Sequence, residues 1–159
     1  MPLSEPIILA EYDGLIREIL STGGEFRLYP RGTSMLPLIR QGKDSVALRK
    51  LDRPPVKQDI LFYQRVDGSY ILHRVKEVTP QGMTMWGDNQ HVLEYGVTED
   101  RVIGYAARIF REEKEVDCRG IPYRMYLWLW QFWAVRRVLL PIAYRVRRWK
   151  YAENGDHPV

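Results

Sequence analysis

Between Glu25 and Phe110 the chain is a succession of short β-prone runs separated by turn residues, with no long helical period among them. Strands of this kind bury their apolar faces only against one another, which predicts a mainly β domain. The runs fall at 26–29, 45–49, 59–63, 70–78, 82–86 and 102–110. Asp67-Gly68 marks a hairpin between two of them, and Pro80-Gln81-Gly82 marks another turn. Pro54-Pro55 cannot sit in a central strand and places a loop there. Without helices alternating between the strands, a Rossmann or TIM-barrel architecture is excluded.

Helical periodicity belongs to the flanks. Leu9, Tyr12, Leu15, Ile16, Ile19 and Leu20 recur at three- and four-residue spacing, which predicts a helix over 7–20 ended by Gly23 and Gly24. Beyond Glu115 the texture changes to YRMYLWLWQFWAV, then two arginines, then VLLPIAY and RVRRWK. Pro141 divides or kinks this second helical region. At 159 residues the chain fits one domain with terminal attachments. The expected units are a helical segment over 1–24, a β domain over 25–115, a basic aromatic helical tail over 116–150 and a flexible tail over 151–159.

The net charge of +4 is unevenly placed. Residues 121–150 carry six Arg and one Lys with no Asp or Glu, so the remainder is net acidic. The N-terminal residues show neither a basic region followed by an apolar core nor a run long enough to span a bilayer. The single cysteine, Cys118, excludes an internal disulfide and a cysteine-cluster zinc site and reads as an inert thiol. His73 and His91 are far apart, and His157 lies in the tail, so no metal cluster is visible. Phosphate-loop and dinucleotide fingerprints are absent too, and no cofactor is implied.

The segment most suggestive of chemistry is Arg31-Gly32-Thr33-Ser34-Met35-Leu36-Pro37-Leu38-Ile39, a turn leading into a short helix. Ser34 fits a cap or a solvated hydroxyl as well as a nucleophile. A nucleophilic serine needs exposure, a base and donors for an oxyanion. A glycine-containing turn supplies the first and points backbone N–H groups at developing charge. His73, in Ile71-Leu72-His73-Arg74-Val75, sits on a strand, which fixes a base in position. It reads equally as a half-buried histidine satisfied by a backbone bond. Asp88, in Trp86-Gly87-Asp88-Asn89, either bonds its own turn or orients His73.

Taken in order, these residues resemble the signal peptidase I superfamily, which includes the self-cleaving LexA-like repressors. GTSMLPLI at 32–39 resembles the box of the serine nucleophile, and Asp59-Ile60-Leu61-Phe62 the second box. Ile71-Leu72-His73-Arg74-Val75 resembles the box of the base. Gly87-Asp88-Asn89 and Glu99-Asp100-Arg101-Val102-Ile103-Gly104 resemble the last two. The match covers about half the chain.

The resemblance implies a LexA/signal-peptidase-like β fold with an N-terminal helix and a C-terminal amphipathic helical tail. It implies a serine endopeptidase acting on an extended leader or signal peptide. Ser34 would attack, His73 take its proton and Asp88 orient His73. A histidine base is similar to the endoplasmic-reticulum and archaeal branch, where most bacterial members use lysine. Asp100 is the competing orienter. Lys76 is the runner-up base, although three residues along a strand it faces away from His73. Many members carry a serine two residues before the nucleophile, as an oxyanion donor; here that position is Gly32, as in the mitochondrial and LexA-like branches.

The family's N-terminal membrane anchor has no counterpart here, and 1–25 is too short for a DNA-binding domain. The tail over 121–150 is expected to take the anchor's place. Its aromatics suit a bilayer interface and its arginines anionic headgroups, lying in plane because Arg136-Arg137 interrupts any span. That makes the chain a peripheral membrane protein, compatible with the cytoplasmic face. The tail could instead cover the β domain or form a dimer interface. Nucleic-acid binding lacks a recognition module beside the basic segment. A catalytically silent peptide-binding module of the same fold is the alternative function.

Overall fold

The computed structural model describes residues 9–132 together with Val135 and Val138. The flexible tail expected over 151–159 and the division at Pro141 lie outside these residues.

Helix α1 spans Leu9–Ser21 and buries Ile16 and Leu20. The β strands are β1 (Phe26–Leu28), β2 (Asp44–Arg49), β3 (Ile60–Gln64), β4 (Tyr70–Thr79), β5 (Gly82–Trp86), β6 (Leu93–Val97), β7 (Val102–Arg111) and β8 (Lys114–Glu115). Helix α2 spans Ile121–Trp130. The structure is therefore a mainly β sheet of eight strands with a helix at each end of the described chain, as expected.

All pairings are antiparallel, in the order β1-β2-β7-β3-β4-β5-β6, with β8 on β7. Strands β3 to β6 form a meander, and β7 returns to lie between β2 and β3. The first part of β7 pairs with β3 and its remainder with β2, so this ten-residue strand joins the two wings of the sheet.

Alternation along the strands gives the sheet two buried faces. One face packs Ile60, Phe62, Leu72, Val46 and Leu48 against α1 and the 35–39 turn. The opposite face packs Leu61, Tyr63, Val75, Met83, Met85 and Val97. Register fixes the neighbours at the site: Leu61 faces His73 across β3 and β4, while Ile60 faces Arg74 and Arg74 faces Trp86. Adjacent in sequence, His73 and Arg74 thus point to opposite faces.

Two strands were not expected. β6 follows Val92 and contains Gly96, and β8 has only two residues; neither offers the apolar alternation by which strands are read. The short helix expected after Ser34 is instead a turn, closed by Leu36 N–H to Thr33 O at 3.2 Å and Ile39 N–H to Met35 O at 2.9 Å.

Candidate functional site: a pinned serine turn beside a buried histidine

The turn carrying Ser34 is tied to the body at several points. Gly32 adopts φ +85°, which explains why glycine stands there. Its N–H donates to Gln41 Oε1 at 2.6 Å. Arg111 donates to the carbonyls of Pro37 and Leu38, both at 3.1 Å. Met35, Leu38 and Ile39 are buried in the core. Ser34 itself is half-buried.

The second anchor is the turn after β5. Asn89 N–H donates to Ser34 O at 2.7 Å, and Asn89 Nδ2 donates to Thr33 O at 2.9 Å. Gly87 lies so close that a Cβ there would stand 2.6 Å from Ser34 O. Only glycine lets these two backbones approach. The GTSM and GDN segments, 53 residues apart, are therefore packed on one another.

His73 is 3% exposed on β4. Its Nδ1 lies 3.5 Å from Tyr63 Oη, the long limit of a hydrogen bond. Tyr63 Oη donates to Glu94 Oε2 at 2.7 Å, and Arg65 donates to the same oxygen at 2.9 and 2.7 Å. With its own hydrogen given to Glu94, the Tyr63 oxygen is free to accept from Nδ1–H. That arrangement favours the tautomer whose Nε2 lone pair is available as a base. Burial, reinforced by the Arg65 charge, pushes His73 down to about 4 against the pull of Glu94 and Asp88. The imidazole is therefore neutral at pH 7. Burial alone would raise the Glu94 carboxyl, but Arg65 and Tyr63 outweigh it and hold it below its usual range.

Asp88 is fully buried and grips Arg74 in a two-pronged ion pair, Nε to Oδ1 at 2.8 Å and Nη2 to Oδ2 at 2.7 Å. Tyr126 donates to Oδ2 at 2.7 Å, and Trp130 Nε1 donates to the Asp88 carbonyl at 2.7 Å. Arg74 Nη1 also donates to Tyr123 Oη at 3.3 Å. The Asp88 carboxylate is thus held on the Arg74 side of β4. Among the described residues, His73 makes no hydrogen bond to Asp88 or to Ser34, and its ring contact is to Tyr63.

The other candidates lie apart. Asp100 is exposed in the 3-10 turn Glu99–Arg101 before β7. Lys76 is exposed and places Nζ 5.4 Å from the Trp86 ring centroid. Cys118 is half-buried, and burial pushes its thiol up, away from the reactive thiolate. Sequence reading missed Tyr63 and Glu94. Tyr63 lies on β3, next to the strand of His73, and Glu94 on β6, two strands away on the other side, so finding them required the β3–β4 register and the β6 strand.

No group of acidic, histidine or cysteine side chains suited to a metal is present among the described residues. Nor does any helix among them have the length and apolarity to cross a membrane. Compared with known proteins, the chain matches no family model, and no curated protein or solved structure matches it significantly.

Proposed function

We propose that the chain is a serine endopeptidase of the signal-peptidase type, with Ser34 as nucleophile and His73 as general base. The single observation that carries this is the packing of the Ser34 turn on Gly87–Asn89. That turn directly follows Trp86, which pairs with Arg74, the neighbour of His73. The serine turn thus meets the sheet on the Arg74 face of β4, one residue along the strand from His73, whose neutral imidazole occupies the opposite face.

In this reading Ser34 Oγ attacks the scissile carbonyl of an extended peptide as Nε2 of His73 takes its proton. The reading requires substrate binding to bring Ser34 and His73 together across β4, since the two lie on opposite faces of the sheet without substrate. The tetrahedral oxyanion is met by backbone N–H groups of the serine turn, because Gly32 offers no hydroxyl. Collapse of the intermediate breaks the C–N bond and expels the amine, which takes the proton from His73 Nε2; the imidazole, neutral again, then activates the water that hydrolyses the acyl-enzyme. Glu94, acting through Tyr63, orients His73 and steadies the imidazolium. Asp88, expected in that role, instead locks Arg74 and the turn that holds Ser34. The tail over 121–150 docks the enzyme on an anionic membrane surface, where a leader or signal peptide emerges.

A second reading is a catalytically silent module that docks peptides with the same fold. The near-complete burial of His73 favours it. Phosphonylation by a fluorophosphonate probe, with fluoride as the leaving group, separates the two. The peptidase reading expects modification at Ser34, found by peptide mass spectrometry and lost in S34A and H73Q. Folded protein that leaves Ser34 unmodified, while the probe labels a known serine peptidase in the same tube, supports the silent module.

A further inference from the structure

Helix α2 has two unlike faces. The inner face sets Tyr123, Tyr126 and Trp130 on the body, Tyr126 and Trp130 stacked at 5.0 Å and both bonded to Asp88. The outer face leaves Ile121, Met125 and Trp128 exposed, and exposed Phe132, just past the helix end, is in edge contact with Trp128 at 5.2 Å. Beside it Lys57 donates to Gln131 Oε1 at 3.2 Å, and exposed Val56 and Val78 share a groove with Lys57, Lys76 and Glu77. Exposed apolar side chains, on a helix opening a segment with seven basic and no acidic residues, complement an anionic bilayer.

The helix itself is weak. Ten residues are too few for a stable isolated helix. Its N-cap is Gly120, without a side-chain cap bond, and its last turn has no basic residue. Contacts on its faces therefore contribute much of what holds it. Contacts on either face favour the same helical conformer, and only that conformer sets Tyr126 and Trp130 four residues apart to reach Asp88. Stabilising one set of contacts therefore stabilises the other, by coupling through a shared state.

From Asp88 the path continues through Asn89 to the carbonyls of Thr33 and Ser34. We propose that α2 is a clamp through which docking on an anionic membrane steadies the Asp88–Asn89 turn and, with it, the Ser34 turn. The consequence for catalysis rests on the peptidase reading; the mechanical coupling does not. Tyr126 and Trp130 are positioning residues, and the bilayer is the ligand that loads them.

The test is amide hydrogen exchange on the full chain, with phosphatidylcholine vesicles and with phosphatidylcholine–phosphatidylglycerol vesicles, alongside co-sedimentation. Exchange reports local opening without needing Ser34 to react. The proposal expects the anionic vesicles to slow exchange over residues 31–40 and 86–90 by at least about fivefold, and neutral vesicles to leave it unchanged. Tyr126→Phe and Trp130→Phe each remove one bond and leave an aromatic ring in place. These variants should still co-sediment but lose most of the slowing. Trp128→Glu should lose both binding and slowing. Three results would overturn the clamp: no binding to anionic vesicles, binding without slowing in the wild-type chain, or slowing that survives in both inner-face variants. Should the clamp hold and Ser34 prove unreactive to the fluorophosphonate, the peptidase reading alone fails.

Discussion

His73 is held neutral by burial, so folding disfavours its protonated form. The folded value of about 4 lies below the ordinary histidine value of 6.5. Between the two the unfolded chain binds more protons. Stability is therefore fully present above about pH 6.5 and is lost as pH falls towards 4, by about 3 kcal/mol at most. Chemical denaturation across that window should show the loss in the wild-type chain and a much shallower slope in H73Q; equal slopes would mean that His73 is not buried neutral. The Arg74–Asp88 pair makes a different prediction. Arg74→Met leaves the Asp88 carboxylate buried without its guanidinium partner, and should cost about 3–5 kcal/mol by urea unfolding. Pairing it with Asp88→Leu should recover much of that loss, because the uncompensated charge is gone. A double variant as unstable as the single one would show that the pair contributes more than mutual neutralisation.

Among the elements, the 31–39 turn and the turn after β5 succeed or fail together. Gly87→Ala sets a methyl against Ser34 O, a backbone atom, so one turn must shift. A destabilisation of about 1–3 kcal/mol in thermal unfolding is expected, with slower Ser34 phosphonylation in the protein that remains folded. Unchanged stability and phosphonylation would mean that the two turns do not need this close approach. The six strands with clear β-prone runs, the Asp67-Gly68 hairpin and α1 were legible in the sequence, because each has a local pattern. β6 and β8 were not, since their pairing is dictated by neighbours rather than by their own alternation. At the site, the boxes holding Ser34, His73 and Asp88 could be read, but the side-chain partners could not. That Arg74 rather than His73 receives Asp88 follows from the face each occupies on β4, a consequence of register. That Glu94 reaches His73 through Tyr63 follows from the path of a strand with no sequence signal.

On the scale of the whole molecule, the sheet carries the serine turn and α2 on one face and the His73–Tyr63–Glu94 group on the other. Charge separates along the chain in the same sense, an acidic body beside a basic tail. If that tail meets anionic lipid, co-sedimentation with phosphatidylglycerol-containing vesicles should weaken as salt is raised, while the exposed aromatics keep some binding at high salt. Binding indifferent to both lipid charge and salt would point away from headgroup recognition. The central claim, that Ser34 is activated by a buried neutral imidazole, is tested most directly by the pH dependence of Ser34 phosphonylation by a fluorophosphonate. The account predicts a rate that stays level from about pH 5.5 to about pH 7.5 and declines only towards the His73 value near 4. It also predicts that this rate vanishes in H73Q. A rate that climbs through about pH 6.5, rises in proportion to hydroxide, or is the same in H73Q would contradict it.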